Sequence, residues 1–158
     1  MSIVDQIYAA FKCRNRPSVI CDVSRPLISD RQDAEQVGRR LRQDLDWAFL
    51  QEHADALYAM TPGSFRYYIP QFMVLAMHRS RVTPLFVSPI FQMLDAGPDE
   101  TYWSDRFKLL WVGMTSEEYE AIKAWLIFMA STDGAWDDDL VLARAFDTVD
   151  LLSQAIER

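Results

Sequence analysis

The chain has 158 residues, 50% hydrophobic and 25% charged, with 16 Lys plus Arg against 23 Asp plus Glu for a net charge of −7, and only five Gly and two Cys. A chain of this length removes roughly 70% of its unfolded surface from water, enough for one core without disulfides or metal. Collagen-like, disordered and disulfide-scaffold classes are excluded, because Gly, Pro and Cys are scarce and apolar residues abundant.

From the N-terminus, Val4, Ile7, Tyr8 and Phe11 recur at helical spacing, and Ser2 with Asp5 forms a short-acid version of a capping box, so a helix is expected over 2–12. Met1 to Gln6 has no basic run and Asp5 interrupts any apolar one, so no export signal is expected and the location expected is cytoplasmic. The stretch from Cys13 to Ile28, with Pro17 and Pro26, reads as an extended connection. Cys13 and Cys21 stand eight residues apart without the paired short spacing of a zinc site, and both are expected as thiols.

Ser29 or Asp30 is expected to open a second helix with the stripe Ala34, Val37, Leu41 and Leu45. A third, capped by Asp46, carries Trp47, Leu50, Ala54 and Leu57 and ends near Met60, before the Thr61-Pro62-Gly63-Ser64 break. The segment from Ile69 to Met77 is apolar on nearly every side, which marks a central buried helix that Pro70 either begins or bends. Ser88-Pro89 opens a short helix through Leu94, closed by Ala96 to Asp99. Residues 103–114 fit a helical turn or a short extended piece equally.

Thr115 and Glu118 make a full capping box for a helix to about Ser131. Leu142, Ala145, Val149, Leu152 and Ile156 give a regular stripe through a last helix beginning near Asp138. No convincing period-2 segment occurs, and the longest apolar run, Ala124 to Ala130, is seven residues against roughly 20 for a bilayer span. The expected fold is one all-α domain over 1–158, a single-domain bundle of six or seven helices, with no membrane association.

Charge divides the chain. Residues 1–81 hold 11 basic and 9 acidic side chains, a net of +2, whereas residues 82–158 hold 5 and 14, a net of −9. A field of that sign repels phosphate backbones and speeds encounter with basic surfaces, so a basic protein is the expected partner and nucleic acid is not. The densest acidic patch contains Asp133, Trp136, Asp137, Asp138 and Asp139. At least one of these aspartates is expected to cap the following helix, while the others with Trp136 form a partner-binding surface.

Histidine chemistry is limited to His53 and His78, neither in a metal-ligand spacing, and both are read first as structural residues. A hydrolase or transferase using His53 or His78 beside a carboxylate is the alternative function. No Gly-rich phosphate loop, nucleophile elbow or reactive-Cys context is present, so neither cofactor nor metal is expected. The 13% aromatic content motivates a third possibility, a self-associating domain whose core cannot hide so many rings.

The run Thr61-Pro62-Gly63-Ser64-Phe65-Arg66-Tyr67-Tyr68-Ile69-Pro70, preceded by Trp47 and followed by the capped helix at Thr115, resembles a family of small uncharacterised bacterial proteins with a Phe-Arg-Tyr-Tyr-Leu-Pro-like motif. The match covers residues 30–131 in order and spacing, with Ile69 in the Leu position, and it implies a fold more than a function. Physically, Phe65, Tyr67, Tyr68 and Pro70 suit a rigid aromatic entry to the central helix, each Tyr hydroxyl finding a buried acceptor. Arg66 is expected to stack on these rings or to pair with an aspartate of the acidic half. In general character, a small acidic chain without catalytic motifs is also similar to the immunity proteins that neutralise basic toxins, with a cognate toxin or effector as partner.

Overall fold

The computed structural model describes residues 1–78, 82–95, 97–131 and 138–155. Among these, eight α-helices form and no strand does: α1 (Ile3–Ala10), α2 (Ile28–Gly38), α3 (Trp47–Glu52), α4 (Pro62–Ala76), α5 (Ser88–Asp95), α6 (Asp105–Trp111), α7 (Ser116–Ala130) and α8 (Asp139–Gln154). The all-α expectation holds. The count exceeds six or seven because the ambiguous stretch before Met114 contains a helix, α6, begun by Ser104, whose hydroxyl accepts the Phe107 N–H at 3.1 Å.

Two boundaries depart from the periodicity. The second helix stops at Gly38 instead of running to Leu45, and Leu41 leaves the predicted stripe to become 44% exposed. At Gly38 the chain presses on Ile20, where a Cβ would stand 2.6 Å from Ile20 Cγ2. The third helix breaks at His53 and resumes as a 3-10 turn over Ala56–Ala59. Asp33 holds that break: one oxygen lies 3.2 Å from His53 Nδ1 and the other accepts the Asp55 N–H at 3.2 Å.

The connection between α1 and α2 is extended and lies against the start of α4. Cys21 bridges antiparallel to Met60, the Asp22 N–H donates to Ala59 at 2.7 Å, and the Thr61 N–H donates to Ile20 at 2.9 Å. Helix α4 begins at Pro62, its free first turn capped by Thr61, and passes through Pro70, which has no N–H for the Arg66 carbonyl. From Phe65 to Ala76 every residue but Arg66 is buried, so α4 is the central helix.

The rest pack around it as one hydrophobic cluster. Trp111, Trp125, Tyr68, Tyr119, Phe11, Phe65, Phe72, Phe86 and Phe91 are fully buried, so the core absorbs much of the aromatic content. Phe91 stacks on Trp125 at 5.3 Å, joining α5 to α7, and the Trp125 indole donates to the Met73 carbonyl at 2.9 Å. Helices α7 and α8 form an antiparallel hairpin: Lys123 Nζ reaches Asp150 at 3.2 Å at one end, while Ala130 and Asp139 line the same groove at the other. Thr148 of α8 donates to the Leu94 carbonyl at 2.7 Å and fixes α5 behind it.

Candidate docking face

The acidic patch sits where α8 begins. Asp133, Trp136 and Asp137 lie outside the described residues; Asp138 and Asp139 are described. Asp138 caps α8, accepting the Val141 N–H at 3.1 Å, which is the helix-start role that its position implies. Asp139 follows in the first turn, favoured there by the helix dipole. Both are exposed, and among the described residues no cation pairs with either.

Beside them lies a groove of about 360 Å³ between α7 and α8, lined by Leu126, Ile127, Ala130, Leu142, Ala143 and Phe146 with Asp139 at its rim. Ile127 is 62% exposed, as is Leu140 at 65%. At the far end Lys123 sits 5.9 Å above the Phe146 ring, held by Glu120 at 2.8 Å and Asp150 at 3.2 Å. The hydrogen bond that Lys123 donates to Glu120, ahead of the one it donates to Asp150, raises the Lys123 pKa and keeps the ammonium charged.

Among the described residues no arginine of the first half pairs with Asp138 or Asp139, and five of those arginines are bound to backbone carbonyls. Arg25 donates to Tyr58, Arg31 to Val23, Arg42 to Phe11 and Tyr67, and Arg16 to Gly38. Arg14 crosses to the acidic half, but its carboxylate is Glu118 at the start of α7, at 2.6 Å.

Arg66 departs from both expectations. Its Nε donates to the Leu110 carbonyl at 3.1 Å, and Nη2 to Leu109 at 3.3 Å and Val112 at 2.5 Å, so the guanidinium caps the C-terminal end of α6. Burial draws its pKa down, with the nearby Arg14 adding to the effect. Around it, Phe65 meets Trp111 edge-on at 5.0 Å, and Tyr67 meets Tyr68 at 4.7 Å. The Tyr68 hydroxyl donates to the Arg40 carbonyl at 2.6 Å, whereas the Tyr67 oxygen accepts the Arg42 N–H at 3.3 Å. With Pro70 inside α4, these contacts tie the motif to its neighbouring elements.

His78 is exposed just past α4. His53 is partly buried with its ring 4.7 Å from Phe49, and no hydroxyl or thiol among the described residues bonds to it. Its Asp33 belongs to a cluster with Asp30, Asp55 and Tyr58. Burial raises the carboxyls of Asp30 and Asp55, and each is raised further by neighbouring carboxylates. Tyr58, which donates to Gln92 at 2.5 Å, is pushed up to about 12, first by burial and then by Asp55 and Asp30. Among the described residues no group of three or more His, Cys, Asp or Glu is placed to hold a metal ion, and no helix is long and apolar enough to cross a membrane.

A second groove, of about 900 Å³, runs between α1 and the start of α7. Its lining includes Lys12 and Arg14 as well as Glu117, Glu118 and Glu120, so it has no single sign of charge with which to select a partner.

Sequence reasoning missed two tethers. Arg106 clamps the connection before α2 to the start of α4, donating to Met60 at 2.6 Å, Tyr58 at 3.1 Å and Asp22 at 3.3 Å. The Arg14 to Glu118 pair was half visible, since the capping box placed Glu118 at the buried foot of α7, but nothing local named its cation.

No family model, curated protein or solved structure matches the chain. Fold and function therefore rest on this chain's own residues.

Proposed function

We propose that this chain is a protein-binding module that docks a basic protein on the face formed by the start of α8 and the α7–α8 groove, and that its role is that of a cytoplasmic immunity protein neutralising a basic toxin or effector. The observation that carries it is the pair Asp138 and Asp139, exposed without a cationic partner among the described residues and set beside an apolar groove. Unpaired carboxylates steer a cationic surface into encounter, and the apolar floor supplies the desolvated contact that slows its departure.

The test begins with identification of the partner by affinity capture from the native cell and continues with its association kinetics. Replacing Asp137, Asp138 and Asp139 by Asn is expected to slow association about tenfold at low salt and to flatten its salt dependence. Unchanged kinetics would remove the assignment. Protection of cells that express the captured partner would specify the immunity role; its absence would leave a docking module of another kind.

A small enzyme built on His53 is the second possibility, and Asp33 at 3.2 Å from Nδ1 favours it. The same carboxylate closes the turn after α3, so His53→Gln with an intact fold and unchanged cell phenotype would leave that possibility without support.

A further inference from the structure

We infer that the α7–α8 groove receives a cationic amphipathic helix of the partner, apolar side chains on the groove floor and basic side chains against its carboxylate rim. This rests on the docking role proposed above and names the shape of what is docked. The floor is open because two of its residues are small: Ala130 on one wall and Ala143 on the other are both exposed. From Asp139 to Phe146 the groove follows α8 over eight residues, a rise of about 10 Å at 1.5 Å per residue. That length accepts the two-turn row of anchors, at i, i+3 or i+4 and i+7, by which a helix lies in a groove.

Charge selects the occupant. Asp138 and Asp139 stand at one end; Glu120 and Asp150 stand at the other, sharing the single ammonium of Lys123. Arg144, next to Ala143, is paired with Asp95 at 3.1 Å; with that pair counted, five carboxylates stand against two cations around the groove, which leaves its surroundings acidic. A second copy of the chain would bring this rim against an equally acidic molecule, each carrying −7, and like charges placed across an interface oppose association. A lysine-bearing helix meets no such opposition, and its basic flanks lie where the carboxylates do.

The test titrates the full chain with three synthetic peptides by fluorescence anisotropy. The first has leucine and lysine ordered so that leucines recur at i, i+3, i+4 and i+7; the second has the same residues shuffled to abolish the stripe; the third keeps the stripe with glutamate for lysine. The striped basic peptide is expected to bind about tenfold more tightly than the shuffled one. Ala143→Phe, which fills the groove from an exposed position, is expected to abolish that preference at unchanged circular dichroism, and Ala130→Phe does the same from the other wall should the first variant fold poorly. Equal binding of striped and shuffled basic peptides would overturn the helix-in-groove inference while leaving a basic partner in place. Failure of both basic peptides to bind would overturn the inference and the docking role together. Equal binding of the acidic striped peptide would overturn the charge selection.

Discussion

Arg14 and Glu118 meet as a bidentate pair, Nη2 to Oε1 at 2.6 Å and Nε to Oε2 at 2.9 Å, joining the end of α1 to the first turn of α7. The same carboxylate accepts the Thr115 N–H at 3.0 Å, so one side chain closes the capping box and ties two helices. Its residue is 1% exposed, whereas the Arg14 side chain keeps 29% of its surface in solvent. The pair therefore stands between a surface ion pair and a buried one.

Glu118→Gln separates the two roles. Glutamine can still accept the Thr115 N–H, because a capping box works with either residue, but Arg14 loses its counter-charge. Removing one member of a fully buried pair costs about 3–5 kcal/mol; with Arg14 partly hydrated, about 2 kcal/mol is expected. Urea unfolding should show a lowered midpoint at unchanged slope, and Arg14→Met in the Glu118→Gln background should cost much less than Arg14→Met alone. Additive costs would show that the two residues do not act as a pair.

Arg66 makes a comparable prediction of different origin. Its donors satisfy carbonyls at the end of α6 that have no helical partner of their own. Arg66→Met keeps the apolar stem but orphans those carbonyls, at an expected cost of about 2 kcal/mol. Arg66→Lys should recover only part of this, since an ammonium lacks the planar fork that reaches three acceptors. Full recovery by Lys would mean that charge alone is used at this position.

These two residues also mark what the sequence could and could not disclose. Helices announced by caps and stripes, α7 with Thr115 and Glu118 or α8 with Asp138, are legible because donor, acceptor and apolar period lie within a few residues of each other. The stop at Gly38 depends on Ile20, the break at His53 on Asp33, and the task of Arg66 on carbonyls more than forty residues away. Such acceptors carry no side-chain signature. The acidic half was legible as a total charge, but its exposure at Asp138 and Asp139 depends on where the arginines went, and carbonyl capping by Arg16, Arg25 and Arg42 is invisible until the chain is folded.

Asp30 and Asp55 predict a pH dependence. Both carboxyls are raised above their ordinary value of 3.8, by burial first and by neighbouring carboxylates second. The folded state therefore holds protons that the unfolded state has already released, so these groups favour folding below 3.8 and the advantage is lost as pH rises through their folded values. Asp30 is 8% exposed and makes no ion pair among the described residues. Asp30→Asn is thus expected to stabilise the chain at neutral pH, with the gain shrinking as pH falls toward 4. A constant gain across that range, measured by thermal unfolding, would place the effect elsewhere.

Tyr58 extends the same cluster to alkaline pH. Its phenol is pushed up to about 12 from 10.0. A phenol raised on folding lends stability that is complete below 10.0 and is lost as pH climbs through its folded value. Near-ultraviolet absorbance titration should show tyrosine ionisation still incomplete above the ordinary range, and Tyr58→Phe should remove part of that late step. Asp55→Asn should bring the step to lower pH, because it removes one of the charges that oppose the phenolate.

Gly38 tests the close approach that ends α2. A Cβ there would stand 2.6 Å from Ile20 Cγ2, 2.9 Å from Cβ and 3.0 Å from Cγ1. These atoms are the branched root of the side chain, not its far end, so no rotation of Ile20 clears all three and the extended connection must shift. That connection is not free to move: Ile20 accepts the Thr61 N–H and the Ser64 hydroxyl, and the next residue bridges to Met60. Gly38→Ala would gain up to about 1 kcal/mol in an open helix, but here overpacking is expected to dominate at a net loss of about 1–3 kcal/mol. Ile20→Gly, which removes all three atoms, costs something by itself, yet combined with Gly38→Ala it should restore much of that loss. A double mutant no more stable than the sum of the single changes would show that contact with Ile20 does not set the end of α2.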